Sequence, residues 1–391
     1  MSPPSEEDGL PLAGVTVVEI CHSVAGPYAG LILASLGAEL VKVESPGHGD
    51  HSRGWAPPYW HGTSAAYQSL NRDKLGVTCD LADPGQRAGL LRLILERADV
   101  VIQNLRPGAV ERYGLSGEAL LAQKPGLVYC NLGAFGRVGP LSDKPGYDPL
   151  MQAFGGLMSV TGETGRAPVR VGPAVVDMGS GMWSVIGILA ALDRRRRSGR
   201  GAVVDTSLYE TAIAWMTIQT AGYLASGEIR RPHGSGIAEI VPHQAFAASD
   251  GYIMVGAGND GLFRKLAAAL GHAEWAEDPR YATNDGRVRN RALLIPAMEA
   301  VFARRSIAEW SAVLEQAGVP TAPIQSIDQV VAHPQTAALG IIQQAPDADM
   351  RLVGLPLSFN GRRPPFRASA PRPGQHNEAV FGRRTAGDAA E

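Results

Sequence analysis

Apolar and polar residues alternate along the first half of the chain in blocks of two kinds. VTVVEI (Val15 to Ile20) is a short apolar run rich in β-branched residues and predicts a buried strand. Gly26, Pro27 and Gly30 then begin a helical segment, LILASL continues it, Gly37 closes it, and ELVKVE (Glu39 to Glu44) predicts a second strand. The pattern returns as a helix over Pro84 to Arg97, a strand over Asp99 to Asn104, a short helix near Ser116 to Gln123 and a strand over Leu127 to Leu132. In Val169 to Gly201 an apolar AVV reads as a strand or extended stretch that ends at Asp177. Gly179, Ser180 and Gly181 then open a long buried helix that runs through Leu192 to Arg194–Arg197. AVVDTS (Ala202 to Ser207) is one more strand, followed by a helix to about Leu224. Strands alternating with helices imply an α/β, Rossmann-like domain whose mainly parallel sheet binds ligands at the carboxyl ends of its strands.

From Ser226 the texture becomes polar and glycine-containing, and QAFAASDGYIMVGAGN alternates as a hairpin around Ser249 to Gly251. Helices are expected at Gly261 to Leu270, Arg291 to Arg304 and Ile307 to Ala317. The expected organisation is a disordered tail over 1–10, a large domain over 11–224, a smaller α+β domain over 225–325, and a return to the large domain with a C-terminal tail over 326–391.

Composition adds exclusions. The 391 residues are 45% hydrophobic, and 36 Lys and Arg against 38 Asp and Glu leave a net charge of −2, too balanced to predict a nucleic-acid partner. Cys21, Cys79 and Cys130 are far apart and form no CxxC, so neither a disulfide framework nor a zinc site is indicated. The acidic, proline-rich start is unlike a targeting peptide, and no uninterrupted apolar stretch of membrane-spanning length is expected. A cytoplasmic protein without a membrane partner is the expectation.

Asp177 is the first candidate for chemistry. Asp is a preferred helix N-cap, and the amides and dipole of a helix start favour its ionised form, so the pattern admits both a cap and an accessible nucleophile that stays charged at neutral pH. CHSVAGPYAG lacks the GxGxxG fingerprint, which disfavours NAD, although the turn suits backbone approach to a phosphate; Cys21 and His22 there read as packing residues. GHGDHSRGW places His48, Asp50 and His51 on a glycine-rich loop without a third strong ligand at a recognisable spacing, so no metal is expected. QNLRPG with the following ERYG brings Asn104, Arg106 and Arg112 to the carboxyl edge of the sheet, where they serve either as caps and surface pairs or as anion ligands. In KPGYDPLMQAFGG, Tyr147 and Asp148 precede a helix, as a buried hydroxyl and a cap.

Taken in order, AGP, LGAELVKVE with GDHSRGW, NLRPG, GYDPLMQAFGG, VVDMGSGM, IGILAAL with SGRG, and DPRYATNDGRVRNR resemble the third family of CoA-transferases (CaiB/BaiF type), from about Leu12 to Val380. That family includes formyl-CoA and carnitine CoA-transferases and the related α-methylacyl-CoA racemases. The resemblance implies that Asp177 is the nucleophile and that Val24, Ala25, Asn104, Leu105, Arg106, Arg112, Tyr147 and Asp148 line the groove for CoA and substrate. Gly234, Ser235 and Gly236 are the nearest match to the family's glycine-rich flap. Val24 stands where the formyl-CoA enzymes have glutamine, and Ser45 where they have arginine.

The resemblance further implies an interlocked homodimer, a coenzyme A thioester as substrate with no tightly bound cofactor, and a small carboxylic acid as acceptor. Transfer would pass through an aspartyl anhydride and an aspartyl-CoA thioester on Asp177, with backbone amides near Gly179 to Gly181 stabilising oxyanions. Arg53, Arg72 and Arg170 are the cations considered for a second carboxylate, which makes a dicarboxylate such as succinate a candidate substrate. The racemase branch has His where Tyr147 stands, and a tyrosine is a poor base at neutral pH. A 2-methylacyl-CoA racemase and a non-catalytic CoA-binding protein are the alternatives to transfer, followed by a nicotinamide dehydrogenase.

Overall fold

The structure is a computed structural model that describes residues 9–382. The expected disordered tail, apart from Gly9 and Leu10, and the last residues of the C-terminal tail lie outside them.

Six strands form one parallel sheet in the described residues. They are β1 (Thr16–Ile20), β2 (Glu39–Glu44), β3 (Leu75–Thr78), β4 (Val100–Gln103), β5 (Val128–Gly133) and β6 (Ala202–Ser207), in the order β3-β2-β1-β4-β5-β6. Five match the apolar runs in the sequence. The short β3, LGVT, carries a glycine and only two large apolar residues, too little pattern to stand out. Alternate residues feed two cores. Val17, Leu40, Val100, Ile102 and Cys130 pack under α1 (Ala25–Ser35), whereas Val18, Val41, Val101 and Tyr129 pack under α2 (Pro84–Arg97). A sheet covered on both faces needs such near-continuous apolar strands.

Between β5 and β6 the chain forms α3 (Asp148–Phe154) and the long α4 (Val175–Ser198), and β6 leads into α5 (Leu208–Trp215). The sequence places AVV in an extended stretch, but Val175 and Val176 are already the first residues of α4, so Asp177 lies in its first turn and the N-cap is Ala174. Tertiary contact explains the shift: Val176 is buried in a core with Leu208 and Ala212, and its amide is capped by Asp148. Contrary to the expectation, α4 is long and apolar enough to cross a membrane by length and composition. It packs instead against α1 and β6, where Gly187 sits so close to Val204 that a Cβ would come within 2.6 Å of it.

The chain divides into two compact units. The sheet unit comprises 1–157, Val171–Gly222 and 334–391; the other comprises Met158–Arg170 and Tyr223–His333. The second unit is thus wider than the 225–325 read from the sequence. Backbone pairing explains the addition of 158–170: the Gly234 amide donates to the Gly162 carbonyl and Thr164 Oγ1 to the Pro232 carbonyl, links between loops without periodicity. This unit contains the expected hairpin, His243–Ala248 against Gly251–Gly256, and a third strand, Thr321–Pro323, on its far edge. Helices Asp260–Ala269, Arg291–Phe302 and Ile307–Gln316 cover its own core around Phe246, Phe263, Phe302 and Trp310.

Candidate active site

The strand order reverses between β1 and β4, which opens a crevice at the carboxyl ends of those strands. A cavity of about 590 Å³ occupies it. His22 to Ala25 after β1, Asn104 to Arg106 after β4 and Ala134 after β5 form its walls, with Tyr147, Thr206 and Asp177 completing them. Val24, Ala25, Asn104, Leu105, Arg106 and Tyr147, named from the sequence, therefore converge with Asp177 on one space. Arg112 closes the short helix Ala109–Arg112 and is not among the lining residues. Gly234, Ser235 and Gly236 belong to the second unit, where Ser235 Oγ accepts from the Ala245 amide.

Two small residues bring the starts of α1 and α4 to this crevice. A Cβ on Gly181 would come within 2.7 Å of the Ala25 carbonyl, and one on Gly26 within 2.4 Å of Cys21 Sγ. The glycines after Asp177 thus serve close helix packing. Their own amides lie beyond the helix's four free N–H groups and belong to its i→i−4 ladder, so they are not the oxyanion donors expected from the sequence.

Asp148 does not line the cavity; it is buried behind Asp177. Its Oδ2 accepts from the amides of Val176 at 2.8 Å and Asp177 at 3.1 Å, so it caps α4 from another helix. Its Oδ1 accepts from Gln152 Nε2 at 2.6 Å, and Gln152 Oε1 accepts from the Val171 amide at 2.8 Å. Gln152 is a supporting residue the sequence did not reveal; its position one helical turn after Asp148 was the available signal.

These contacts overturn the expectation that Asp177 stays ionised at neutral pH. Burial, and then the nearby Asp148 carboxylate, push its pKa up from 3.8 to about 7. The amides expected to stabilise its charge are taken by Asp148, and no cation pairs with it among the described residues. A carboxylate half-protonated at neutral pH, partly buried and lining a cavity, has the perturbed titration that recurs at functional sites, and the cap of α4 is supplied by Asp148 instead.

Elsewhere the cavity wall mixes charges: Arg106, Arg137 and Lys144 stand with Glu111 and Asp143, Arg137 pairs with Glu118 and Asp205 and Lys144 with Asp143, and His22 and His51 stack with centroids 5.1 Å apart. Burial lowers the His22 pKa below its ordinary value. Of the arginines considered for a second carboxylate, Arg53 is committed to Glu44 at 2.6 and 2.8 Å and to the Pro371 carbonyl, and Arg72 is buried against Asp73 at 2.7 Å. Neither lines the cavity, and Arg170 belongs to the second unit.

The family model described as CoA-transferase family III matches residues 12–377. This chain belongs to that family. It is 35% identical over 380 residues to a succinate–glutarate CoA-transferase of Agrobacterium fabrum, covering 95% of each chain. It is 33% identical over 372 residues to an acetyl-CoA:oxalate CoA-transferase of Acetobacter aceti, again covering 95% of each. The crystal structure of a CaiB/BaiF family protein from Brucella suis superposes with a TM-score of 0.86 at 37% identity, over 96% of this chain and 99% of that one. The chain is a CoA-transferase, moving CoA between an acyl-CoA and a carboxylic acid.

Proposed function

We propose that this CoA-transferase exchanges CoA between two dicarboxylic acids, succinyl-CoA being the donor, through a covalent intermediate on Asp177. The observation that carries the covalent part is the placement of Asp177 on the wall of the crevice cavity, partly buried, without a counter-ion among the described residues and raised to about 7. A desolvated carboxylate is a stronger nucleophile than a hydrated one. The dicarboxylate part is supported by the acids named for the two relatives, glutarate and oxalate, and by Arg106 on the cavity wall.

The ionised Asp177 oxygen attacks the acyl carbonyl and expels CoA as thiolate, leaving a mixed anhydride. The thiolate then attacks the Asp177 carbonyl, releasing the donor carboxylate and leaving an aspartyl-CoA thioester. The acceptor carboxylate attacks that thioester, expelling CoA thiolate and leaving a second mixed anhydride, and the thiolate then attacks the acceptor carbonyl of that anhydride, forming the new acyl-CoA and releasing the Asp177 carboxylate. One thioester is present at the start and one at the end, so the exchange requires no external energy source. CoA is a substrate throughout. Tyr147 lines the cavity where the racemase branch has histidine, and a phenol is a poorer general base than an imidazole, which favours transfer over racemisation.

The deciding experiment incubates the protein with succinyl-CoA and glutarate, follows glutaryl-CoA by mass spectrometry, and maps any CoA adduct on the Asp177 peptide. Loss of both signals in Asp177→Ala is expected. Transfer at the wild-type rate in that variant would rule the mechanism out.

A homodimer belongs to the same proposal. Met182, Trp183, Ile186 and Leu189 recur at helical spacing on the exposed side of α4, beside Ile213 and Trp215 of α5. Stable monomers seldom leave so continuous an apolar face to water. A cytoplasmic setting is supported by the three buried free thiols, Cys21, Cys79 and Cys130.

A further inference from the structure

The turn joining β1 to α1 is held from behind by charges that do not reach solvent. Lys42 Nζ donates to Asp50 Oδ2 at 2.8 Å, to Glu19 Oε1 at 3.0 Å and to the Cys21 carbonyl at 3.0 Å. Lys74 Nζ joins the cluster through Glu19 Oε2 at 2.8 Å and reaches the Pro27 carbonyl, in the first turn of α1, at 2.8 Å. The side chains of Glu19, Lys42, Asp50 and Lys74 are all fully buried. Burial alone would raise the Asp50 carboxyl, yet Lys42, Ser52 and the Ser23 amide hold it well below the ordinary value. Buried ion pairs seldom stabilise a fold more than apolar packing would, so this cluster calls for a role beyond cohesion.

Asp50 Oδ1 supplies that role. It accepts from the Ser23 amide at 3.0 Å and from the Ser52 amide and hydroxyl at 2.9 and 2.7 Å. Ser23 has φ of +69°, the left-handed region that non-glycine residues avoid. Asn104 grips the same turn from the opposite side, accepting from the His22 amide at 3.0 Å and donating to the His22 carbonyl at 2.8 Å. The Cys21 carbonyl, both polar groups of His22 and the Ser23 amide therefore all end on side chains. Immediately after them, Val24 and Ala25 enter the Asp177 cavity, at the start of a helix that no side chain caps.

We propose that Asp50, itself held by Lys42, is a positioning residue for CoA transfer: it locks Ser23 in the left-handed conformation and so fixes the uncapped amides of α1 toward the anionic groups that react in the cavity. This rests on the reading of the Asp177 cavity as the transfer site. Such helix-start amides attract carboxylates, phosphates and developing oxyanions, but only when held in place.

Asp50→Asn keeps an acceptor for Ser23 but removes the charge that Lys42 holds. Steady-state transfer from succinyl-CoA should lose kcat on the order of ten- to a hundredfold, the scale of a misplaced reacting group, with a smaller change in KM. Adding Ser23→Gly, which occupies positive φ without strain, should restore several-fold of that loss, a rescue that a purely cohesive role of Asp50 would not give. Wild-type kcat in Asp50→Asn, or no recovery in the double variant, overturns the proposal.

Should Asp50→Asn fail to fold, residue-resolved hydrogen exchange on the wild-type protein decides. The Ser23 amide should be protected without ligand, whereas the Ala25 amide should become protected only when succinyl-CoA is added. A freely exchanging Ser23 amide overturns the proposal. Full transfer in Asp177→Ala would remove the cavity reading and this proposal together, whereas loss there with unaltered Asp50→Asn kinetics removes this proposal alone.

Discussion

At the scale of single residues, Asp177 and Asp148 form one device. A carboxylate buried against another carboxylate keeps its proton longer, and Asp177 accordingly titrates near 7. Only the ionised form attacks a thioester, so kcat/KM should rise with pH through about 7 and level off above, measured between pH 5.5 and 8.5 with a donor whose own charge is constant over that range. In Asp148→Asn the repulsive charge is gone and the acid limb should move to lower pH. The same change sets an amide nitrogen against Gln152 Nε2 or against the α4 amides, and should lower stability by about 1–2 kcal/mol in urea titration. Stability follows the opposite sign from activity. The folded pKa lies above the ordinary value, so the folded state holds the extra proton between about 4 and 7 and loses stability as pH rises through that window. Asp177→Asn should therefore melt a few degrees above wild type at pH 8 and level with it near pH 4, while losing transfer by at least ~10³-fold.

At the scale of elements, the site depends on how closely two helix starts approach. Gly181 of α4 has room for no side chain beside the Ala25 carbonyl. Gly181→Val should separate α4 from α1, costing about 1–3 kcal/mol in denaturant unfolding, and should reduce transfer more than the stability loss alone explains. Ser180 lies on the same buried stripe, its hydroxyl within hydrogen-bond distance of both the Val176 carbonyl at 2.8 Å and Thr211 Oγ1 at 2.7 Å. The strands were legible because strands buried on both faces are predominantly apolar, as VTVVEI and ELVKVE are apart from charges such as Glu19 and Lys42, which are buried only because they pair with each other. The start of α4 was misplaced because AVV carries β-branched residues typical of a strand, while the contact that makes it helical comes from Asp148, 28 residues upstream of Val176.

At the scale of the molecule, the exposed apolar face on α4 and α5 predicts self-association. Ile186→Glu, at a position 53% exposed, should convert a dimer to a monomer in size-exclusion chromatography with light scattering, and should leave the circular dichroism of the fold intact. A wild-type chain that elutes as a monomer would remove the dimer from the proposal.

What the sequence determined by itself was the alternation of strands and helices and the Rossmann-like class, which depend on local periodicity, and, through contiguous motifs that resemble the family, seven residues of the cavity: Val24, Ala25, Asn104, Leu105, Arg106, Tyr147 and Asp177. Tertiary structure decided the ionisation of Asp177, the cap that Asp148 places on a helix not its own, and the hold of Asp50 on Ser23. Charge, desolvation and hydrogen bonding act between groups near in space, and here those groups lie tens of residues apart along the chain.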